Sequence, residues 1–90
     1  RRPELLKLNG DFGYSIGIDL GSPQITIDSA IVGVVMDITG KVVAQESVKK
    51  EEESFDKLTE KVLDLTELLI KKAEISRKKI RGIGVGIWAY

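Results

Sequence analysis

The sequence has 90 residues, room for one domain at most, and a domain of that size buries only about 60–65 % of the surface its unfolded chain exposes. Its 14 basic residues are balanced by 14 acidic ones, so net charge exerts no pull towards nucleic acid or an anionic membrane. Cysteine and histidine are both absent, which excludes disulfides, thiolate zinc sites, cysteine nucleophiles and histidine general bases within these residues.

In chain order, Arg1–Asn9 mixes charge with a Leu5, Leu6, Leu8 cluster, and Asn9-Gly10-Asp11 and Gly13 then supply turn chemistry. Residues 1–13 are therefore expected to form a linker that packs onto something. Arg1, rather than Met, at the first position leads us to expect numbering that starts inside a longer polypeptide. From Tyr14 to Leu20 the pattern alternates, placing Tyr14, Ile16, Ile18 and Leu20 on one face of a strand that Gly21-Ser22-Pro23 stops. The segment from Pro23 to Asp37 is β-rich, counting Ile25, Thr26 and Ile27 with Ile31–Val35, and predicts a second strand. Near-continuous apolarity over Ile31–Met36 predicts cover on both faces and a central place in the sheet. No apolar run approaches the roughly 20 residues of a membrane span, and no signal peptide opens the chain. A cytoplasmic protein without membrane contact is the expectation.

Ile38-Thr39-Gly40-Lys41 is a turn into a third strand, Val42–Lys49, with Asp37 as a turn former. The charge run Lys49–Glu53 reads as a solvated loop. Phe55, Leu58, Val62, Leu65, Leu69 and Ala73 then recur at threes and fours, the mark of an amphipathic helix. Ser54 suits its N-cap, Asp56 and Glu60 its positive end, and Lys71, Lys72, Arg77 and Lys78 its negative end, while Lys57 stands where a capping box needs Glu or Gln. Finally, Ile80–Ile87 alternates Ile83, Val85 and Ile87 with Gly82, Gly84 and Gly86, a strand with one glycine-lined side. Close helix-on-sheet packing is the simpler account of those glycines, and a ligand near the sheet edge is the other.

The order is strand, strand, strand, helix, strand. That makes an α/β mixed sheet with one covering helix, a crossover returning the last strand parallel to the first, and fits the β-β-β-α-β opening of a ribonuclease-H-like fold. Chemistry is concentrated at Ile18–Ser22, where Asp19 ends a strand and Gly21 opens a turn. Backbone N–H groups and the Ser22 hydroxyl there can face a phosphate, with Asp19 holding a divalent cation or its water shell. A capped strand end accounts for the same residues. Trp88 and Tyr90 can stack on a sugar ring, or be core or interface aromatics.

These stretches together resemble the ROK family of repressors, open reading frames and sugar kinases, within the wider actin, hexokinase and heat-shock-70 superfamily. Ile16–Gly21 (IGIDLG) is similar to the family's first phosphate loop. Val34–Val43 resembles its second and third strands with their turn, and Ile80–Ile87 its fourth strand, so the likeness covers most of residues 14–87. Arg1–Asn9 resembles the segment leading out of the winged helix-turn-helix domain of ROK repressors, whereas ROK kinases usually begin at the phosphate-loop strand. The resemblance therefore implies a xylose-repressor-type regulator, with residues 1–13 as a linker after a winged helix-turn-helix domain and 14–90 as the N-terminal part of an actin-like lobe. It implies DNA as a partner through a domain absent from this chain, a carbohydrate effector bound by the missing remainder, a homo-oligomer, and no catalytic, metal or cofactor group in this segment. The enzyme alternative is an ATP-dependent, glucokinase-like sugar kinase, in which Asp19 would assist magnesium and Gly21 and Ser22 would form a degenerate phosphate loop. Ser22-Pro23 stands where the family's kinases carry Gly-Thr, and Gln24–Ser29 looks inserted, which weakens that alternative. A structural, self-associating fragment is the third possibility.

Overall fold

The computed structural model of the chain describes residues 12–87. Strands β1 (Tyr14–Asp19), β2 (Ala30–Asp37) and β3 (Val42–Lys49) precede helix α1 (Phe55–Ala73), a 3-10 turn (Arg77–Lys79) and strand β4 (Ile80–Gly86). The sheet order is β3-β2-β1-β4, antiparallel across β1/β2 and β2/β3 and parallel across β1/β4. A parallel return requires a crossover, and α1 supplies it. The fold is thus α/β, a mixed four-stranded sheet with one covering helix, as the order of patterns implied.

Alternation sets which side chains meet the helix. Ile16 and Ile18 of β1, Ile31 and Val35 of β2 and Ala44 of β3 are buried together with Leu65, Leu69 and Ile70 of α1. Gly33 completes this face by having no side chain. A Cβ there would lie 2.6 Å from Leu69 Cδ1, 3.0 Å from Ile18 Cδ1 and 3.3 Å from Leu65 Cδ2. Glycine at this central position therefore fixes how closely the helix seats on the sheet.

The helix ends are built by local chemistry. Ser54 caps α1 by accepting from the Lys57 N–H at 3.2 Å. At the other end Glu74 turns left-handed at φ 55°, its N–H bonding back to the carbonyls of the last turn. Lys72 clips α1 to β3, donating to Glu46 Oε2 at 2.7 Å and to the Gln45 carbonyl at 3.0 Å, and holds the Glu46 carboxyl below its usual range.

Four expectations are corrected. The second strand starts at Ala30, because Thr26 and Ser29 close a turn in which the Thr26 N–H donates to Ser29 Oγ at 2.8 Å and the Ser29 N–H to the Thr26 carbonyl at 3.1 Å. β2 is internal to the sheet, yet only its helix-facing side is buried; Val32, Val34 and Met36 on the opposite side remain partly exposed among the described residues. Phe55 belongs to the apolar period but is 80 % exposed, and Ile70 and Thr66 are buried instead. The glycine-lined side of β4 is not where α1 packs. Gly82, Gly84 and Gly86 have nothing within 4 Å of an added Cβ, because α1 lies over β2 and β3 on the other face.

Candidate functional site

The acidic strand end and its glycine turn form the mouth of the long β1–β2 connection. Asp19 is exposed and its Oδ1 accepts from the Gly21 N–H at 2.8 Å. Gly21 takes φ +76°, a left-handed backbone natural to glycine, and a Cβ there would come within 3.4 Å of the Ala30 carbonyl oxygen. Ser22 Oγ accepts from the Gln24 N–H at 3.2 Å, and Thr26 Oγ1 from the Asp28 N–H at 3.3 Å. The chain brings Asp19, Gly21 and Ser22 into one turn. It also directs the amides of Gly21, Gln24, Thr26 and Asp28 at the loop's own side-chain oxygens, so none of these four is offered outward.

What holds this loop is a residue the charge pattern hides. Lys50 sits in the Lys49–Glu53 run expected to be a solvated loop, but it is only 9 % exposed. Its Nζ donates to the Leu20 carbonyl at 2.6 Å and to the Ser22 carbonyl at 3.0 Å, while its backbone N–H donates to the Ser29 carbonyl at 3.0 Å. Carbonyl oxygens gathered around a cation are the donor set that alkali and alkaline-earth ions use; here an ammonium occupies that position. Lys50 ties the end of β3 across β2 to the end of β1. The only advance signal is an unbroken Lys-Lys at the strand end, where one side chain must face inward if the other faces out.

Lys50 also borders a cavity of about 320 Å³ lined chiefly by Leu20, Ser22, Gln24, Thr26, Asp28 and Ser29. Its walls carry one cation, one carboxylate and three hydroxyls; those of Thr26 and Ser29 lie 3.4 Å apart, and that of Ser22 accepts from the Gln24 N–H. On the face away from α1, Gly17 pairs with Gly84 and Asp19 with Gly86, leaving a trough bordered by Val32 and Val34. Among the described residues no group of three or more His, Cys, Asp or Glu could hold a metal ion. Nor is any described helix long and apolar enough to cross a membrane. The Leu5, Leu6, Leu8 cluster, Trp88 and Tyr90 lie outside the described residues.

No protein-family model matches the chain. Two curated proteins do. The xylose repressor of Caldicellulosiruptor bescii is 40 % identical over 88 residues, and a candidate xylose repressor of Caldicellulosiruptor sp. strain Rt8B.4 is 34 % identical over 88. Each match takes in 97 % of this chain, including sequence ahead of β1, but only 21 % of the relative. The chain therefore spans about a fifth of the length of the curated relatives it matches, and over nearly all of its own length it is similar to xylose repressors.

Proposed function

We propose that this chain is part of a ROK-type, sugar-responsive transcriptional repressor of carbohydrate metabolism, acting in the cytoplasm. Residues 1–13 are the linker from a winged helix-turn-helix domain, and residues 14–90 open a ribonuclease-H-like, actin-like lobe that binds a carbohydrate effector. This segment is scaffold: it carries the lobe's first sheet and joins it to the DNA-binding part, while effector contacts and homo-oligomer contacts come from the rest of the polypeptide. Sugar binding changes how two attached winged helices sit on their operator.

The observation that carries this reading is the 40 % identity to a protein named as a xylose repressor, continuous from the segment before β1 through β4. The β1–β2 loop favours it over the sugar-kinase alternative. Phosphate loops present backbone N–H groups to the nucleotide, whereas here Asp19, Ser22, Thr26 and Ser29 occupy those amides and Pro23 lacks one. Lys50 holds the Leu20 and Ser22 carbonyls on the inner side of the same loop and fixes it in this closed form.

Binding of the full-length protein to the DNA upstream of its own gene, followed by anisotropy with and without a panel of pentoses and hexoses, tests this. Specific binding released by one sugar is expected. Conversion of ATP and that sugar to a sugar phosphate, lost on Asp19→Ala, would replace the repressor by the kinase.

A further inference from the structure

The balanced net charge conceals a polarised molecule. At the end of the sheet where β1 and β3 finish, the exposed charges are mainly acidic: Asp28, Glu51, Glu52, Asp56 and Glu60. At the opposite end, where α1 finishes and β1 and β4 begin, Lys71, Lys72, Arg77, Lys78, Lys79 and Arg81 are exposed within eleven positions that contain a single acid, Glu74. Lys72 is paired with Glu46 and Arg77 with Glu67. Lys71, Lys78 and Arg81 have no carboxylate partner among the described residues.

Arg81 is not a loose surface arginine. Its Nη2 donates to the Phe12 carbonyl at 2.9 Å, its guanidinium carbon lies 5.7 Å from the centre of the Phe12 ring, and its side chain fills the space a Cβ on Gly13 would need. It is therefore held against the segment that leads into β1. The Tyr14–Ile80 pairing sets the same segment beside the 3-10 turn that carries Lys78. The basic end of the sheet is thus the end at which the chain enters β1.

We infer that Lys71, Lys78 and Arg81 form a contact surface for the phosphate backbone of duplex DNA, placed beside the junction with the DNA-binding part; this rests on the repressor reading above. Exposed cations without carboxylate partners suit phosphate neutralisation, which is sequence-independent and positions rather than specifies. The acidic far end turns away from the duplex, so the polarity orients the lobe as well as attracting it.

The experiment is a salt titration of DNA binding by the full-length protein. Wild type, Lys71→Gln/Lys78→Gln, Arg81→Lys, and Lys57→Gln at the acidic end as control are compared on operator and on unrelated duplex, with thermal melts showing that each variant is folded. Each lost phosphate contact lowers the slope of log affinity against log salt by about 0.9. The double variant should lose up to about two units of slope, weaken operator and unrelated DNA equally, and leave sugar release intact, while Arg81→Lys and Lys57→Gln keep the wild-type slope. An unchanged slope in the double variant overturns the inference and leaves the repressor reading standing, as does a loss confined to the operator. Failure of wild type to bind any duplex overturns both.

Discussion

The two connections between antiparallel strands at opposite ends of the sheet are built on different principles. The β2–β3 turn is self-contained. Asp37 Oδ1 accepts from the Thr39 N–H at 2.9 Å, Thr39 Oγ1 at 2.6 Å and the Lys41 N–H at 3.0 Å, and Gly40 takes φ +90°. The β1–β2 connection has a positive-φ glycine too, Gly21, but its carbonyls are held by Lys50, far along the chain at the end of β3. A short turn is specified by its own residues, whereas a long one needs the completed sheet to deliver its clasp.

That contrast sets the order of expected effects. Replacing Lys50 by Met strips the Leu20 and Ser22 carbonyls of their donor at a buried site and should cost about 2 kcal/mol, the scale of charge-assisted hydrogen bonds. Amide exchange at Thr26 and Ser29 should accelerate while exchange at Gly40 stays as it was; equal acceleration at both would abolish the distinction. Gly33→Ala tests the sheet between the two connections, where overpacking against Leu69 and Ile18 should cost about 1–3 kcal/mol, read as a lower denaturation midpoint with an unchanged denaturant slope.

Each connection turns on one left-handed glycine. Gly21→Ala meets backbone strain and the Ala30 carbonyl, while Gly40→Ala meets strain alone because nothing lies within 4 Å. Each should cost about 1–2 kcal/mol from the left-handed conformation, with Gly21→Ala the larger in chemical denaturation. The smallest effect concerns pH. Hydrogen bonding from Thr39, the leading cause, holds the Asp37 carboxyl below its usual range. A carboxyl lowered by folding contributes stability above its unfolded value, roughly pH 4, and loses it as pH falls through the folded one. Asp37→Asn removes that contribution, so it should lower stability at neutral pH and flatten the acid limb of the profile, while amide exchange in the β1–β2 loop stays as it was.

Elements carried by local pattern were legible in the sequence. The alternation of Tyr14–Leu20, the bounds of Val42–Lys49, the Ser54 cap and the Asp37 turn all follow from neighbouring residues, and the structure places them there. Features that depend on distant partners were not. Ile25 and Ile27 have strand propensity but no strand to pair with, since the Thr26–Ser29 turn intervenes. Gly33 looked like one more residue of an apolar run, and only the seat of Leu69 shows why it lacks a side chain. Of the candidate site, the Asp19-Gly21 turn was readable as acid followed by glycine. The filling of its amides by Ser22, Thr26 and Ser29, and its clasp by Lys50, were not, because a lysine among glutamates gives no sign of facing inward.

Leu20 is bonded on both of its sides, its N–H to the Gly86 carbonyl at 2.8 Å and its carbonyl to Lys50 Nζ. The tips of β4, β1 and β3 are thereby laced into a single rim, from which residues 50–53 lead to the Ser54 cap of α1. A bond lost at the end of β4 therefore frees one side of Leu20, whose other side is held from the end of β3 by Lys50.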